Sequence, residues 1–182
     1  MSRKFVVFLN GEAGVGKDTF VNFFKEYAKK TYGIETLNRH RSDPAKAALS
    51  TLGWNGEKTK EVRELLADLV SFGESNGITR SYLDSTLYTP QYNPTVVFFH
   101  VRDPKTISKL QMDYFSNKRA LCEPRSLLIR RDVQPAETDR WGVLEGSYDW
   151  IIVLNNLEDS RKKAHMLADT IAETMYWERK KV

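Results

Sequence analysis

Apolar residues along this chain alternate between two patterns, short unbroken runs and stripes at helical spacing. The runs are Phe5–Leu9, Val96–Val101 with His100 inside it, Leu127–Ile129 and Trp150–Leu154, and the mixed segment Ile34–Asn38 reads as a further short strand. Each is short enough for a strand, and most are apolar on both faces, as strands buried in a parallel sheet must be. Between them, Phe20, Phe23, Phe24, Tyr27 and Ala28 recur at the spacing of one helix face. The same spacing joins Val62, Leu65, Leu66, Leu69 and Val70, then Ile107, Leu110 and Tyr114, and finally Ala164, Leu167, Ala168, Ile171 and Met175. Asp43-Pro44 opens a short helix over 45–49, and Asn76-Gly77 opens a mainly helical stretch to about Leu87, closed by Pro90 and Pro94. Asp103-Pro104 has the form of a helix cap followed by a proline in the first turn. Strands alternating with helices predict one α/β domain, a five-stranded parallel sheet covered on both faces. Ligands of such sheets bind at the carboxyl ends of the strands, so the residues just after each run matter most.

After the first run comes Asn10-Gly11-Glu12-Ala13-Gly14-Val15-Gly16-Lys17-Asp18-Thr19. Gly11 and Gly16 have the spacing of a phosphate-cradling loop, and Lys17 follows directly. Wrapping a polyphosphate requires successive backbone N–H groups to point inward, from Ala13, Gly14, Val15 and Gly16 here, in dihedrals that side chains obstruct. The helix that follows aims its unpaired N–H groups at the same anion, and Lys17 adds a full charge. The usual hydroxyl after the lysine is replaced by Asp18. Asp18 is expected to meet magnesium directly or through water, with Thr19 against a phosphate oxygen. The remaining strand ends carry Arg39 and Asp43, Arg102 and Asp103, Arg130 and Arg131, and Asn155 and Asn156. Basic groups converging on one sheet edge make an anion site.

Composition narrows the setting. The chain has 182 residues, 41% hydrophobic and 29% charged, as in an ordinary globular domain. Its single cysteine excludes an internal disulfide or a zinc cluster and suits a reducing cytoplasm. No apolar run is long enough to span a bilayer, and the N-terminus leads straight into a strand, so neither membrane nor signal segment is expected. The net charge of +4 and pI of about 9.1 fit phosphorylated substrates, and no continuous basic stripe points to nucleic acid. A GTP-dependent switch fits less well. Asp139-Arg140-Trp141-Gly142 has the acid-x-x-glycine form but lies in a polar loop, and Asn117-Lys118-Arg119-Ala120 lacks the acid that reads guanine.

Gly16-Lys17-Asp18-Thr19 resembles the variant phosphate loop of phage-type deoxynucleoside monophosphate kinases and related small-molecule P-loop kinases. Other segments are similar in order: Asp43-Pro44-Ala45-Lys46 after the second strand, then Gly53-Trp54-Asn55-Gly56-Glu57-Lys58-Thr59 with Arg63-Glu64-Leu65-Leu66. His100-Val101-Arg102-Asp103-Pro104 follows, and then Tyr148-Asp149-Trp150-Ile151-Ile152 with Asn155. The resemblance implies a three-layer P-loop NTPase fold, with a helical acceptor-binding arm over about 40–92 and a short lid-like loop over about 130–149. It implies an ATP- and magnesium-dependent kinase of nucleoside monophosphates, deoxynucleoside monophosphates foremost, working in the cytoplasm (a host's, if phage-encoded). Another small phosphorylated metabolite is the alternative acceptor, and a non-kinase nucleotide-binding protein is a further alternative. A homodimer is compatible with it, although no residue pattern fixes the oligomeric state.

By the same resemblance Lys17 and the loop, from Gly11 to Thr19, hold the donor, with Asn155 beside it. Arg102, Arg130 and Arg131 act on the transferring phosphate, one of the last two from the lid. Asp43, Lys46, Trp54, Lys58 and Arg63 serve the acceptor. A guanidinium at 63 can fork onto a monoester phosphate, and Trp54 can stack on a base. Asp43 reads equally as a helix cap. His100 stands where some relatives carry the metal-supporting aspartate, which leaves Asp18, Asp43 and Asp103 as candidate magnesium ligands. His100 itself reads as a core or polar-pocket histidine.

Overall fold

The computed structural model describes residues 4–88, 95–116, 122–131 and 148–177. Its strands are β1 (Lys4–Asn10), β2 (Glu35–His40), β3 (Thr95–His100), β4 (Cys122–Arg131) and β5 (Trp150–Leu154). Its helices are α1 (Lys17–Tyr32), α2 (Asp43–Thr51), α3 (Lys60–Ser75), α4 (Ile78–Tyr88), α5 (Pro104–Ser116) and α6 (Leu157–Trp177). The strands form one five-stranded parallel sheet in the order β2-β3-β1-β4-β5. By contacts the chain divides into two compact units, one of Met1–Asn38 with Gln91–Val182 and one of Arg39–Pro90. No helix among the described residues is long and apolar enough to cross a membrane.

In the larger unit β1 is central, paired in parallel with β3 and with β4. Its side chains alternate between two cores. Phe5, Val7 and Leu9 join Phe20, Val21 and Phe24 of α1 and Ala164, Ala168 and Ile171 of α6. Phe8 faces the other way, with ring centroids 6.4 Å from Phe99 and 6.3 Å from Tyr114 of α5. Helices therefore cover both faces, which is why the runs in β1 and β3 are apolar without alternation. Trp150 packs against the first core and stacks on Phe5, as an aromatic opening an apolar strand should.

Helix ends follow local chemistry. Gly33 closes α1 in the left-handed conformation at φ 65°, and Lys29 and Lys30 complement the dipole there. Asp103 caps α5, its carboxylate accepting from the backbone N–H of Lys105 and Thr106. β4 starts five residues before the apolar run, because Cys122–Ser126 pairs with β1 although its sequence is polar. Pro124 is tolerated there since β5 pairs only from Leu127 onward.

The smaller unit has its own core of Ala45, Leu49, Leu66 and Val70, with Trp54, Val62 and Leu69 packed against it. Thr59 caps α3 by accepting from Val62 N. The apolar stripe on α3 is narrower than its sequence suggests, because Leu65 is 46% exposed and Phe72 is 60% exposed. A core of four buried side chains covers only the 62-66-69-70 face.

Candidate functional site

The carboxyl end of β1 runs into a loop whose shape depends on glycine. Gly11 has φ +144°, and a Cβ there would lie 2.2 Å from the Ile129 carbonyl oxygen of β4. No side chain fits such an approach. Gly14 and Gly16 also take positive φ, at +77° and +99°. Val15 is buried in the first core and pins the loop to the body. α1 then starts at Lys17, with Asp18 in its first turn.

Asn10 organises the loop from below, and sequence reasoning gave it no role. It is buried, its Oδ1 accepts from Gly11 N at 2.7 Å, and its Nδ2 donates to Tyr148 Oη at 2.6 Å and to the Arg102 carbonyl at 3.1 Å. One amide thus joins the exits of β1 and β3 to the segment before β5. A polar residue ending an apolar strand directly before the first loop glycine was the available signal.

The Lys17 ammonium donates to the carbonyls of Gly11, at 2.6 Å, and Glu12, at 2.5 Å. Burial lowers its pKa, and the nearby Arg102 guanidinium lowers it further, against the opposing pull of Asp18 and Glu12. An anion bound beside Lys17 would offset that cost to its charge. A cavity of about 170 Å³ is lined by Gly16 and Thr19 from the loop and α1, and by Arg131, Leu154, Asn155, Asn156 and Leu157. Its wall is tied together where β5 meets α6. Asp159 Oδ2 accepts from Asn155 N at 3.0 Å and from Lys163 Nζ at 2.8 Å, and that ammonium also donates to the Val153 carbonyl. Lys163 holds the Asp159 carboxyl below the usual carboxylate range.

The sequence-derived candidates divide accordingly. Gly11 to Thr19, Arg102, Arg131 and Asn155 all lie in the larger unit around this loop and cavity, and Arg130 precedes Arg131 at the end of β4. The lid-like loop foreseen over 130–149 lies, from 132 to 147, outside the described residues. Asp103 spends both carboxylate oxygens on the α5 cap, Oδ2 also accepting from Thr106 Oγ1 at 2.7 Å.

Asp43, Lys46, Trp54, Lys58 and Arg63 lie in the smaller unit. Asp43 Oδ2 accepts from His40 N at 2.7 Å and from Tyr82 Oη at 3.1 Å, and Lys46 Nζ lies 3.5 Å from its Oδ1. Asp43 is thus a tie between the start of α2 and α4. Trp54 packs on the small core and donates its indole N–H to the Glu57 carbonyl. Lys58 and Arg63 are exposed.

His100, at the end of β3, is buried, in keeping with a polar-pocket histidine. Its Nε2 lies 2.6 Å from Oδ1 of Asn38, which the sequence marks only as the end of a strand. The chain matches no model of a known protein family, and no curated protein matches it.

Proposed function

We propose that this chain is an ATP-dependent kinase that moves the γ-phosphoryl group of ATP onto a nucleoside monophosphate, giving the diphosphate. The observation that carries this reading is the loop from Gly11 to Lys17, shaped by a glycine no other residue can replace and topped by an ammonium beside Arg102. The strand order and the helices on both faces are compatible with the three-layer P-loop NTPase fold, which is part of the proposal.

Phosphoryl transfer asks a protein mainly to position two anions and neutralise the charge of the transferring group. The loop amides and Lys17 hold the donor phosphates, and Arg102 faces the developing charge. The cavity bounded by Arg131 and Asn155 takes the donor base, with a guanidinium plane to stack on it and amides to meet its edge. Magnesium, when bound, neutralises the donor phosphates. The residues fit it: Asp18 stands in the first turn of α1 with its side chain 68% exposed, in the place of the usual hydroxyl. Asp103 is committed to its helix cap, so Asp18 is the acid we assign. The acceptor, a deoxynucleoside monophosphate foremost, is assigned to the Arg39–Pro90 unit on the order of its motifs, with Arg63 on the monoester phosphate.

The test is steady-state ADP release from Mg-ATP across a panel of ribo- and deoxyribonucleoside monophosphates. Acceptor-dependent release with one or a few members supports the reading. Release at one rate whatever the acceptor would contradict it.

A further inference from the structure

A second polar arrangement in the larger unit crosses three elements. His100 Nε2 lies 2.6 Å from Asn38 Oδ1, and Asn38 Nδ2 donates to Asp18 Oδ1 at 3.1 Å. Nε2 is 3.7 Å from that same carboxylate oxygen, too far for a direct hydrogen bond. Chemistry fixes the direction of the chain. A carboxylate only accepts, so the amide turns its Nδ2 to Asp18 and its Oδ1 to His100. An amide oxygen also only accepts, so His100 Nε2 carries the proton. The sequence of groups is therefore imidazole N–H to amide, and amide N–H to carboxylate.

The two ends of this chain differ sharply in burial. His100 is 7% exposed, whereas the Asp18 side chain is 68% exposed. Orienting a solvated carboxylate contributes little to stability, since water serves it nearly as well. Fixing the direction in which it presents its oxygens does matter to a ligand that needs them there.

We propose that Asn38 and His100 are positioning residues that hold Asp18 in the orientation in which it meets the divalent cation of a bound nucleotide. This deepens the reading of the loop as a nucleotide site and rests on it. Removing either partner is expected to loosen the carboxylate and to leave Lys17 on its loop carbonyls.

Mn²⁺ serves as the probe, its free concentration read by electron paramagnetic resonance with a non-hydrolysable ATP analogue, with and without protein. Analogue affinity is measured separately in EDTA. Asn38→Leu is expected to weaken Mn²⁺ binding to the protein–analogue complex about tenfold, as when a partner orienting a metal ligand is lost. Affinity in EDTA should stay at the wild-type value. His100→Phe should act in the same direction, and His100→Gln, whose amide N–H can stand in for Nε2–H, should restore most of the affinity. Should Asn38→Leu melt like the wild type and bind Mn²⁺ within twofold of it, the inference is overturned and the loop reading stands. A wild-type protein that binds no analogue in EDTA or with Mn²⁺ overturns both.

Discussion

The Lys17 ammonium is half-buried and beside Arg102, and burial and the neighbouring guanidinium outweigh the two loop carbonyls that accept from it and disfavour its charge. Its folded pKa is below 10.5, so between that lowered value and 10.5 the folded chain binds fewer protons than the unfolded one. Stability from this group therefore rises with pH across that window, and at neutral pH the whole cost of the charge is present. Lys17→Met should accordingly melt no lower than wild type at neutral pH without nucleotide, in a thermal scan. Its phosphoryl transfer should fall more than a hundredfold, since a missing charge at the transferring group costs on the order of 3 kcal/mol. Gly11→Ala should act oppositely on stability. Its Cβ would strike the Ile129 carbonyl at an unfavourable φ, an expected loss of about 3 kcal/mol read from urea unfolding. The turn at Gly11 was legible in sequence, because the glycine spacing marks it. Asn10 and Asn38 were not, since their partners, Tyr148 and Arg102 for one, Asp18 and His100 for the other, are far apart in the chain.

Among the elements, legibility followed burial. β1, β3, α1 and α6 are marked by apolar residues because each buries most of what it marks, whereas β5 keeps Ile151 40% exposed. The first half of β4 is not, since backbone pairing to β1 holds it and leaves polar side chains in sequence. Leu65 shows the converse, an apolar residue at helical spacing that lies outside the small core and stays 46% exposed. In that smaller unit the link between α2 and α4 is the Tyr82–Asp43 hydrogen bond. Burial and then the Asp43 charge push the Tyr82 phenol up to about 12, against the pull of Arg39. A raised folded value means the contribution is whole below 10.0, the ordinary value, and is lost as pH climbs toward 12. Tyr82→Phe should thus lose less stability than the wild type between about pH 10 and 12. Paired urea titrations at the two ends of that range check it, and parallel losses in both proteins would detach Tyr82 from the effect.

For the whole molecule, the proposed reaction divides labour between the glycine-rich loop of the larger unit and acceptor residues carried by Arg39–Pro90. Arg63→Lys separates the two, because an ammonium reproduces a forked guanidinium poorly. The acceptor KM should rise roughly tenfold, about 1.4 kcal/mol, while the KM for ATP stays near its wild-type value. Saturation curves for each substrate with the other held high decide it, and an unchanged acceptor constant would move the acceptor site off α3. The proposed donor side rests on one local loop, whereas the proposed acceptor side rests only on the order of short motifs. The central claim is transfer of a phosphoryl group between nucleotides, and ³¹P NMR of the protein with Mg-ATP and a deoxynucleoside monophosphate watches that transfer itself. A deoxynucleoside diphosphate should grow in step with ADP, with the monophosphate signal falling equally. Inorganic phosphate as the sole new product, or spectra unchanged with each member of a full acceptor panel, would contradict it.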